Sequence, residues 1–588
     1  MAFIGSSESS SRDQADERRR RVLTRALPIA ALATVAFVGG LLVAGGPDAP
    51  AAERFVEAWI GGDYEAMHAE LTPEAQDEYS PERLARAYED AAETGTVAEI
   101  SAGEVDEDDG VASVDIDLQT HAFGALRGRL ELPISDGKVA WEPYLAFPGL
   151  EPGETLSRLS RAPRRAPILA ADGSPLADGP AAARSVPSTA ASNVVGAVGA
   201  ATRAQASELA RRGFAPGTLT GNSGLELAYD ARLAGQPGGQ LVATAAGEES
   251  DLEGGRVLAA SQPQPGKAVR TTIDPGLQEA AVSALGGLFG GVAVIDARNG
   301  SILALAGVAY SAPQPPGSTF KLITTTGALD AGIVKLSDTF PIETSNSDIG
   351  REIANSDDAP CGGTFAESFA NSCNTVFAPL GARLGGPELV EVAERYGFNA
   401  PPPIFDPVAA AAIDPPPSTI PEISSSVETG ESAIGQGQVL ATPLQLASVA
   451  QTIANRGMRM PTRIAKGAAL QPDAAPVRVT SEETANTIRE LMIGVVESGT
   501  GVAAALPGVT VAGKTGTAEL GPAALEEGQK LDPGEEPPQE LDAWFTAFAP
   551  AGKPSLAIGV MIVNSEGDGG EIAAPIAAQV LSAGLGVG

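Results

Sequence analysis

Lysine is scarce in this 588-residue chain, with eight against 31 arginines. Arginine keeps its proton in any protein environment, whereas a lysine that is desolvated or beside another cation can give it up. Positions that keep lysine are therefore candidates for acid–base work. Two of the eight have a serine three residues earlier. Ser135-Asp-Gly-Lys138 is a turn between two alternating segments and needs no chemistry. Ser318 and Lys321 lie in Pro315-Pro-Gly-Ser-Thr-Phe-Lys-Leu-Ile-Thr-Thr-Thr326, where the prolines and glycine set a helix start near Ser318. Three residues of helix put both side chains on one face, one turn apart. The positive end of the helix disfavours a further positive charge, which favours neutral Lys321. A hydroxyl within reach of a neutral amine is an activated nucleophile that needs no histidine. The only histidines, His68 and His121, fall in the first quarter of the chain, so a Ser-His-Asp triad in the C-terminal half is excluded. With Cys361 and Cys373 as the only cysteines, no zinc site of the usual kind can be assembled, and no metal or cofactor is expected.

Spacing alone is weak, since chance supplied it at Lys138, but two further motifs follow in order. Ser372-Cys-Asn374 comes 54 residues after Ser318, in a segment read as helical, and Lys514-Thr-Gly-Thr517 sits inside a strand pattern. The series Ser-x-x-Lys, Ser-x-Asn, Lys-Thr-Gly resembles the signature of penicillin-binding proteins and serine β-lactamases. Cys373 replaces the aspartate of class A β-lactamases, which leans away from that relative. Glu431 to Gln445 and Ala543 to Pro550 also resemble the transpeptidase domain, and the likeness covers roughly residues 150–588.

The resemblance implies roles for these positions. Ser318 is the acylated nucleophile and Lys321 its base. Ser372 relays a proton to the leaving D-alanine with Lys514 close by, and Asn374 orients Lys321 and the substrate amide. Lys514 and Thr515 hold the substrate carboxylate, and Gly516 admits the substrate strand. The backbone N–H groups of Ser318 and Thr517 form the oxyanion hole. Each residue also has an ordinary reading (a helix cap at Ser318, a solvated Lys514, a helical Asn374), but together these require a triple coincidence.

The surrounding pattern is that of an α/β (α+β) multidomain chain. Residues 1–25 are a tail ending in arginines, and 26–46 are uncharged and long enough for one membrane-spanning helix. The positive-inside rule puts the N-terminus in the cytoplasm and the catalytic part outside the cell membrane, in a single-pass arrangement. A cleaved signal peptide is the competing reading. Residues 51–148 show helices at Ala51–Ile60, Tyr64–Leu71 and Pro81–Ala92. Alternating runs follow at Val111–Leu118, Leu126–Leu132 and Val139–Leu145. Helices followed by an antiparallel sheet resemble the nuclear-transport-factor-like cone of methicillin-resistance-type penicillin-binding proteins, with His68 and His121 as structural residues. Residues 149–265 resemble the pedestal, or dimerisation, domain. Residues 270–588 read as the transpeptidase domain, an antiparallel sheet flanked by helices, with an acidic mobile loop at Leu520–Leu541. Cys361 and Cys373 can pair outside the cell or remain two buried thiols, since spacing does not fix the geometry.

Net charge of −35 argues against a nucleic-acid partner and fits a solvated acidic surface. About 100 residues between anchor and pedestal leave no room for a glycosyltransferase domain, so a class B enzyme is implied rather than a bifunctional one. The implied partners are peptidoglycan stem peptides, β-lactams and a membrane glycosyltransferase of a wall-synthesis complex. A D,D-carboxypeptidase, or a non-catalytic β-lactam receptor or scaffold, is the alternative.

Overall fold

The computed structural model describes residues 49–247, 254–522 and 539–587. The described chain forms two compact units. The first comprises residues up to Ala162 together with Ala206–Pro216 and Gln236–Pro263. The second comprises Pro163–Gln205, Gly217–Gly235 and everything from Gln264. The 149–265 stretch is thus shared between them. The span expected at 26–46 lies outside the described residues, and among those residues no helix is long and apolar enough to cross a membrane.

In the first unit four helices precede a four-stranded antiparallel sheet. The helices are Ala51–Gly61, Tyr64–Ala69, Pro73–Glu78 and Pro81–Gly95; the strands, in order, are Val97–Asp108, Val111–Thr120, Gly124–Ser135 and Lys138–Val139. Proline at the first helical position and a Ser or Thr cap start two of the helices, at Thr72 and Ser80. Aromatic rings fill the space between helices and sheet. Trp59, Tyr79, Tyr88 and Trp141 stack with centroids 4.9–6.1 Å apart, and the buried Trp141 indole donates to the Tyr88 hydroxyl at 3.1 Å. His68 is half-buried with Nε2 2.9 Å from the Tyr79 carbonyl, and His121 is exposed. The strand expected at Val139–Leu145 pairs only through Lys138–Val139, because Pro143 opens a 3₁₀ turn (Pro143–Ala146). A second sheet in this unit pairs Glu154–Arg161 with Gly238–Ala245 and that with Arg256–Ser261, all antiparallel.

The second unit holds a buried ionic cluster. Arg165 donates to Glu226 (2.6 and 2.9 Å) and to Asp230 (2.8 Å), while Arg184 takes the other Glu226 oxygen (2.6 Å). The side chains of Arg165, Glu226 and Arg184 are 4%, 1% and 6% exposed, so losing one partner strands a buried charge. Between Ser223 and Gly235 the chain forms two short helices, Gly224–Ala228 and Asp230–Ala234. Glu226 and Asp230, one on each helix, both meet Arg165.

The rest of the unit is built on a five-stranded antiparallel sheet. Its order is Ile302–Gly307, Gly290–Asp296, Leu556–Ser565, Gln539–Ala549, Ala512–Pro522. On the strand Gln539–Ala549, next to the edge, the faces alternate. Ala543, Phe545 and Ala547 join the core under helices Pro275–Leu285 and Ala574–Leu585. Trp544 and Phe548 join the core of the helical side, which includes Pro443–Ala454. Most of the loop expected at Leu520–Leu541 lies outside the described residues; its two ends continue the flanking strands.

Cys361 and Cys373 form a disulfide, Cα atoms 5.4 Å apart, closing a segment with a sequence separation of 12. A loop of that size contributes about 3 kcal/mol in the chain-entropy account. Replacing both cysteines by alanine is expected to lower the urea midpoint of the fold. A reductant should lower the wild-type midpoint to a similar level and leave the variant unchanged.

Candidate active site

The first motif is the turn that launches a buried helix. Gly317–Phe320 is a 3₁₀ turn and Lys321–Asp330 continues it as α-helix, so Ser318 sits one residue into the start that the prolines define. Ser318 is half-buried and Lys321 fully buried. The turn is pressed against the strand carrying the third motif. A Cβ on Gly516 would stand 2.6 Å from the Pro316 carbonyl oxygen, and one on Gly317 (φ 53°) 2.4 Å from that of Thr517. Both positions therefore require glycine. The close approach expected of substrate at Gly516 is made here by the chain's own turn, and it brings the backbone of Thr517 beside that of Ser318.

The second motif differs from the helical setting expected for it. Helix Phe365–Ala370 opens with a capping box, Thr364 with Glu367. It closes as Ser372 N–H donates to Phe369 O (3.2 Å) and Cys373 N–H to Ser368 O (2.9 Å). These two bonds define a Schellman cap, in which Ser372 fills the left-handed position usually given to glycine, at φ 61°. A side chain there costs about 1–2 kcal/mol. The disulfide at Cys373 and the next helix, Asn374–Leu384, hold it in place. Observed strain of this kind marks a functional position.

The two lysines converge on Ser372. Lys321 Nζ donates to the Ser372 carbonyl (2.6 Å) and to Asn374 Oδ1 (2.7 Å) and lies 3.1 Å from Ser372 Oγ. Lys514 Nζ lies 2.9 Å from the same Oγ and 3.1 Å from the Thr515 carbonyl. Asn374 is fixed in turn by donating its Nδ2 to Ala354 O at 3.0 Å. The rings of Phe377 and Phe369 stand 5.5 Å from Lys321 Nζ and 5.8 Å from Lys514 Nζ, excluding water. Burial therefore drives the Lys321 pKa well below its ordinary value, and the positive charge of Lys514 adds to the effect; burial lowers Lys514 to about 7. Desolvation, rather than the helix end invoked from sequence, is the leading cause of a neutral Lys321. Among the described residues the Ser318 hydroxyl has no hydrogen-bond partner; such catalytic contacts commonly tighten only when substrate is bound.

One participant had no sequence signal. Thr500, after the long helix Glu482–Ser498, lies 2.5 Å from Thr515 Oγ1, and its N–H and hydroxyl reach Ala370 O at 3.1 and 3.4 Å. It thus links the Lys514 strand to the helix that precedes Ser372.

A serine at a helix start and two desolvated lysines, set between a five-stranded antiparallel sheet and a helical layer, form an arrangement of the penicillin-recognising kind. The penicillin binding protein transpeptidase domain family matches residues 290–582, and the penicillin-binding protein dimerisation domain family matches residues 179–271. The chain belongs to the penicillin-binding proteins, of class B. It is 36% identical over 299 residues to peptidoglycan D,D-transpeptidase PbpA of Mycobacterium tuberculosis, covering 47% of this chain and 56% of that protein. It is 28% identical over 444 residues to peptidoglycan D,D-transpeptidase MrdA of Acinetobacter baumannii, covering 65% and 64%. The match thus spans just over half the length of the M. tuberculosis relative and under two thirds of the A. baumannii one. Among solved structures, penicillin-binding protein A of M. tuberculosis, as its ceftriaxone acyl-enzyme complex, superposes with TM-score 0.55 at 28% identity. That alignment covers 72% of this chain and 99% of the other.

Proposed function

We propose that this chain is a peptidoglycan D,D-transpeptidase working through a Ser318 acyl-enzyme, and a covalent target of penicillins. The reading is carried by one observation: two buried lysines share the hydroxyl of Ser372 beside the turn that bears Ser318. The Ser318 oxygen attacks the carbonyl of the penultimate D-alanine, and neutral Lys321 takes its proton. The backbone N–H groups of Ser318 and Thr517 hold the tetrahedral oxyanion, a contribution of roughly 3–4 kcal/mol per donor. Ser372 passes a proton to the nitrogen of the departing D-alanine, and protonated Lys514 lies beside it. The acyl-enzyme ester is then attacked by the amine of a second stem, forming the crosslink and returning the serine. Relatives named D,D-transpeptidases, and a structural neighbour described as a ceftriaxone acyl-enzyme, support this chemistry.

The finer reading places a single membrane helix at 26–46, a cytoplasmic N-terminus and an external catalytic domain. A disulfide fits that oxidising setting. It reads 51–148 as a nuclear-transport-factor-like cone, supported by the order of helices before sheet, and expects a membrane glycosyltransferase as partner. The deciding experiment incubates the full chain with pentapeptide stems and an amine acceptor. Crosslinked dimer supports transpeptidation. Free D-alanine without dimer would make it a carboxypeptidase, and acylation by penicillin with neither product a receptor or scaffold.

Thr500 gives a separate expectation. Its O–H lies nearer to Thr515 Oγ1 (2.5 Å) than to Ala370 O (3.4 Å), so donating to Thr515 leaves the Thr515 proton free for a substrate carboxylate. Thr500→Val is expected to raise KM for carboxylate-bearing donors about tenfold, the worth of one hydrogen bond. Thr500→Ser should restore it; steady-state kinetics with a thioester donor reads both.

A further inference from the structure

The strand beside the catalytic one carries a buried carboxyl that no step of the chemistry uses. Asp542 stands opposite Ala518 in the ladder, two residues from the Gly516–Trp544 pair. Its side chain is fully buried. Oδ1 accepts the Asn564 N–H at 3.1 Å, and Oδ2 has no partner among the described residues. Burial pushes this carboxyl up to about 6, against the hydrogen bond from Asn564. A leucine would avoid the cost of burying it but would leave that N–H unpaired. What the carboxyl supplies is therefore an acceptor for Asn564.

Asn564 belongs to a β-bulge. Leu541 pairs with Ser565 but Ala543 with Ile562, so Val563 and Asn564 together face the single residue Asp542. Asn564 has a left-handed backbone, φ 50°. A bulge takes an amide out of the ladder and bends the strand, and here the carboxyl satisfies the amide. The chain leaving the bulge, residues 565–568, lays Gly569 on the catalytic strand. A Cβ on Gly569 would stand 2.2 Å from the Gly516 carbonyl oxygen and 2.3 Å from that of Trp544, and its N–H donates to Thr517 Oγ1 at 3.3 Å. The nucleophile turn meets Gly516 from the other face of the sheet. The backbone around Thr517 is thus held from both sides, and the bulge sets one of them.

We propose that Asp542 is a positioning residue for acyl transfer: it holds the bulge that seats Gly569 under Gly516 and Thr517, and so fixes the Thr517 N–H of the oxyanion hole. This rests on the acyl-enzyme reading above. An oxyanion donor works by standing in place before the charge develops, so a strand free to shift by part of an ångström loses rate. Asp542 itself lies one strand back from the sheet edge and acts only through the bulge.

The test follows benzylpenicillin labelling of the full chain in detergent by intact mass over time, reading both the rate constant and the final labelled fraction. Asp542→Leu, similar in size but without an acceptor, is expected to label about tenfold more slowly and still to completion, short of the loss of about 10²–10³ from removing an oxyanion donor outright. Asp542→Asn keeps an acceptor and should stay within about threefold of wild type. A wild-type rate in Asp542→Leu, or a lower final fraction at an unchanged rate (the mark of a merely structural role), overturns the proposal. If Asp542→Leu does not fold, Asn564 decides, since its side chain is exposed. Asn564→Val disfavours the left-handed backbone and should label about fivefold more slowly, whereas Asn564→Gly should match wild type. Equal rates in those two variants overturn the proposal. A wild type that takes no label overturns the acyl-transfer reading and this proposal with it, while equal labelling in every variant overturns this proposal alone.

Discussion

Incubated with benzylpenicillin, the full chain is expected to gain the mass of one intact antibiotic, and Ser318→Ala is expected to gain nothing. Opening the lactam ring transfers the acyl group without a leaving fragment, so intact-mass analysis reports the bond directly. The residue is specified by position rather than by reactivity alone, because Ser372 is the hydroxyl that contacts both lysines. Ser372 is committed by its left-handed backbone and by contacts to both amines, and it faces them. Ser318 combines the mouth of the helix with the neighbouring Thr517 backbone, the pair proposed to hold the oxyanion. Removing the nucleophile of an acyl-transfer site typically costs about 10⁶ in rate, so no slow labelling should survive overnight. An adduct on Ser318→Ala, mapped to Ser372 or elsewhere, would sink the assignment. Lys321→Arg tests the partner role: arginine is permanently charged and cannot accept the proton, so labelling should fall nearly as far.

Much of this site was legible before any coordinates, and the reason is chemical. A base must be able to lose its proton, and lysine in an arginine-rich sequence marks such places. The strand bearing Lys514 and the strand 290–296 are buried runs, the latter joined to 302–307 near an Asn-Gly turn. What escaped was geometry without a compositional mark. Ser372 occupies a Schellman position where glycine would have signalled the break, so the helix seemed to run on. Thr500 has no motif and acts through a contact to the strand 15 residues later. The strand Val97–Asp108 is exposed at most positions and acidic along its length, so its period is hidden. The helix Pro73–Glu78 is too short to show one. The Arg165 cluster joins residues more than 60 apart in sequence, which no local pattern reports. Anchor and cone rested on position and remain proposals for that reason.

The second large effect is in pH. Lys321 is held well below the ordinary lysine value by burial and by the charge of Lys514, which favours its neutral form. Burial lowers Lys514 from 10.5 to about 7. Two ammonium groups sharing one hydroxyl repel, and the observable values belong to the pair. If charged Lys514 attracts the substrate carboxylate, kcat/KM is expected to fall as pH rises through about 7, because that ratio reports the free enzyme. A bound carboxylate favours the ammonium, so the falling limb of kcat should lie at higher pH. Lys514→Arg cannot deprotonate, and its kcat/KM limb should vanish even if its absolute rate is lower. For stability the sign is opposite to that of a paired lysine. Between about 7 and 10.5 the unfolded chain holds the proton that the folded chain has released, so the fold gains stability as pH rises across that window. Below about 7 both states are protonated and the burial penalty is felt in full. A kcat/KM profile flat from pH 6 to 9 with a thioester donor would show that the charge of Lys514 plays no part in capturing substrate. Thr515 and Thr500 would then be left to hold the carboxylate by hydrogen bonds alone.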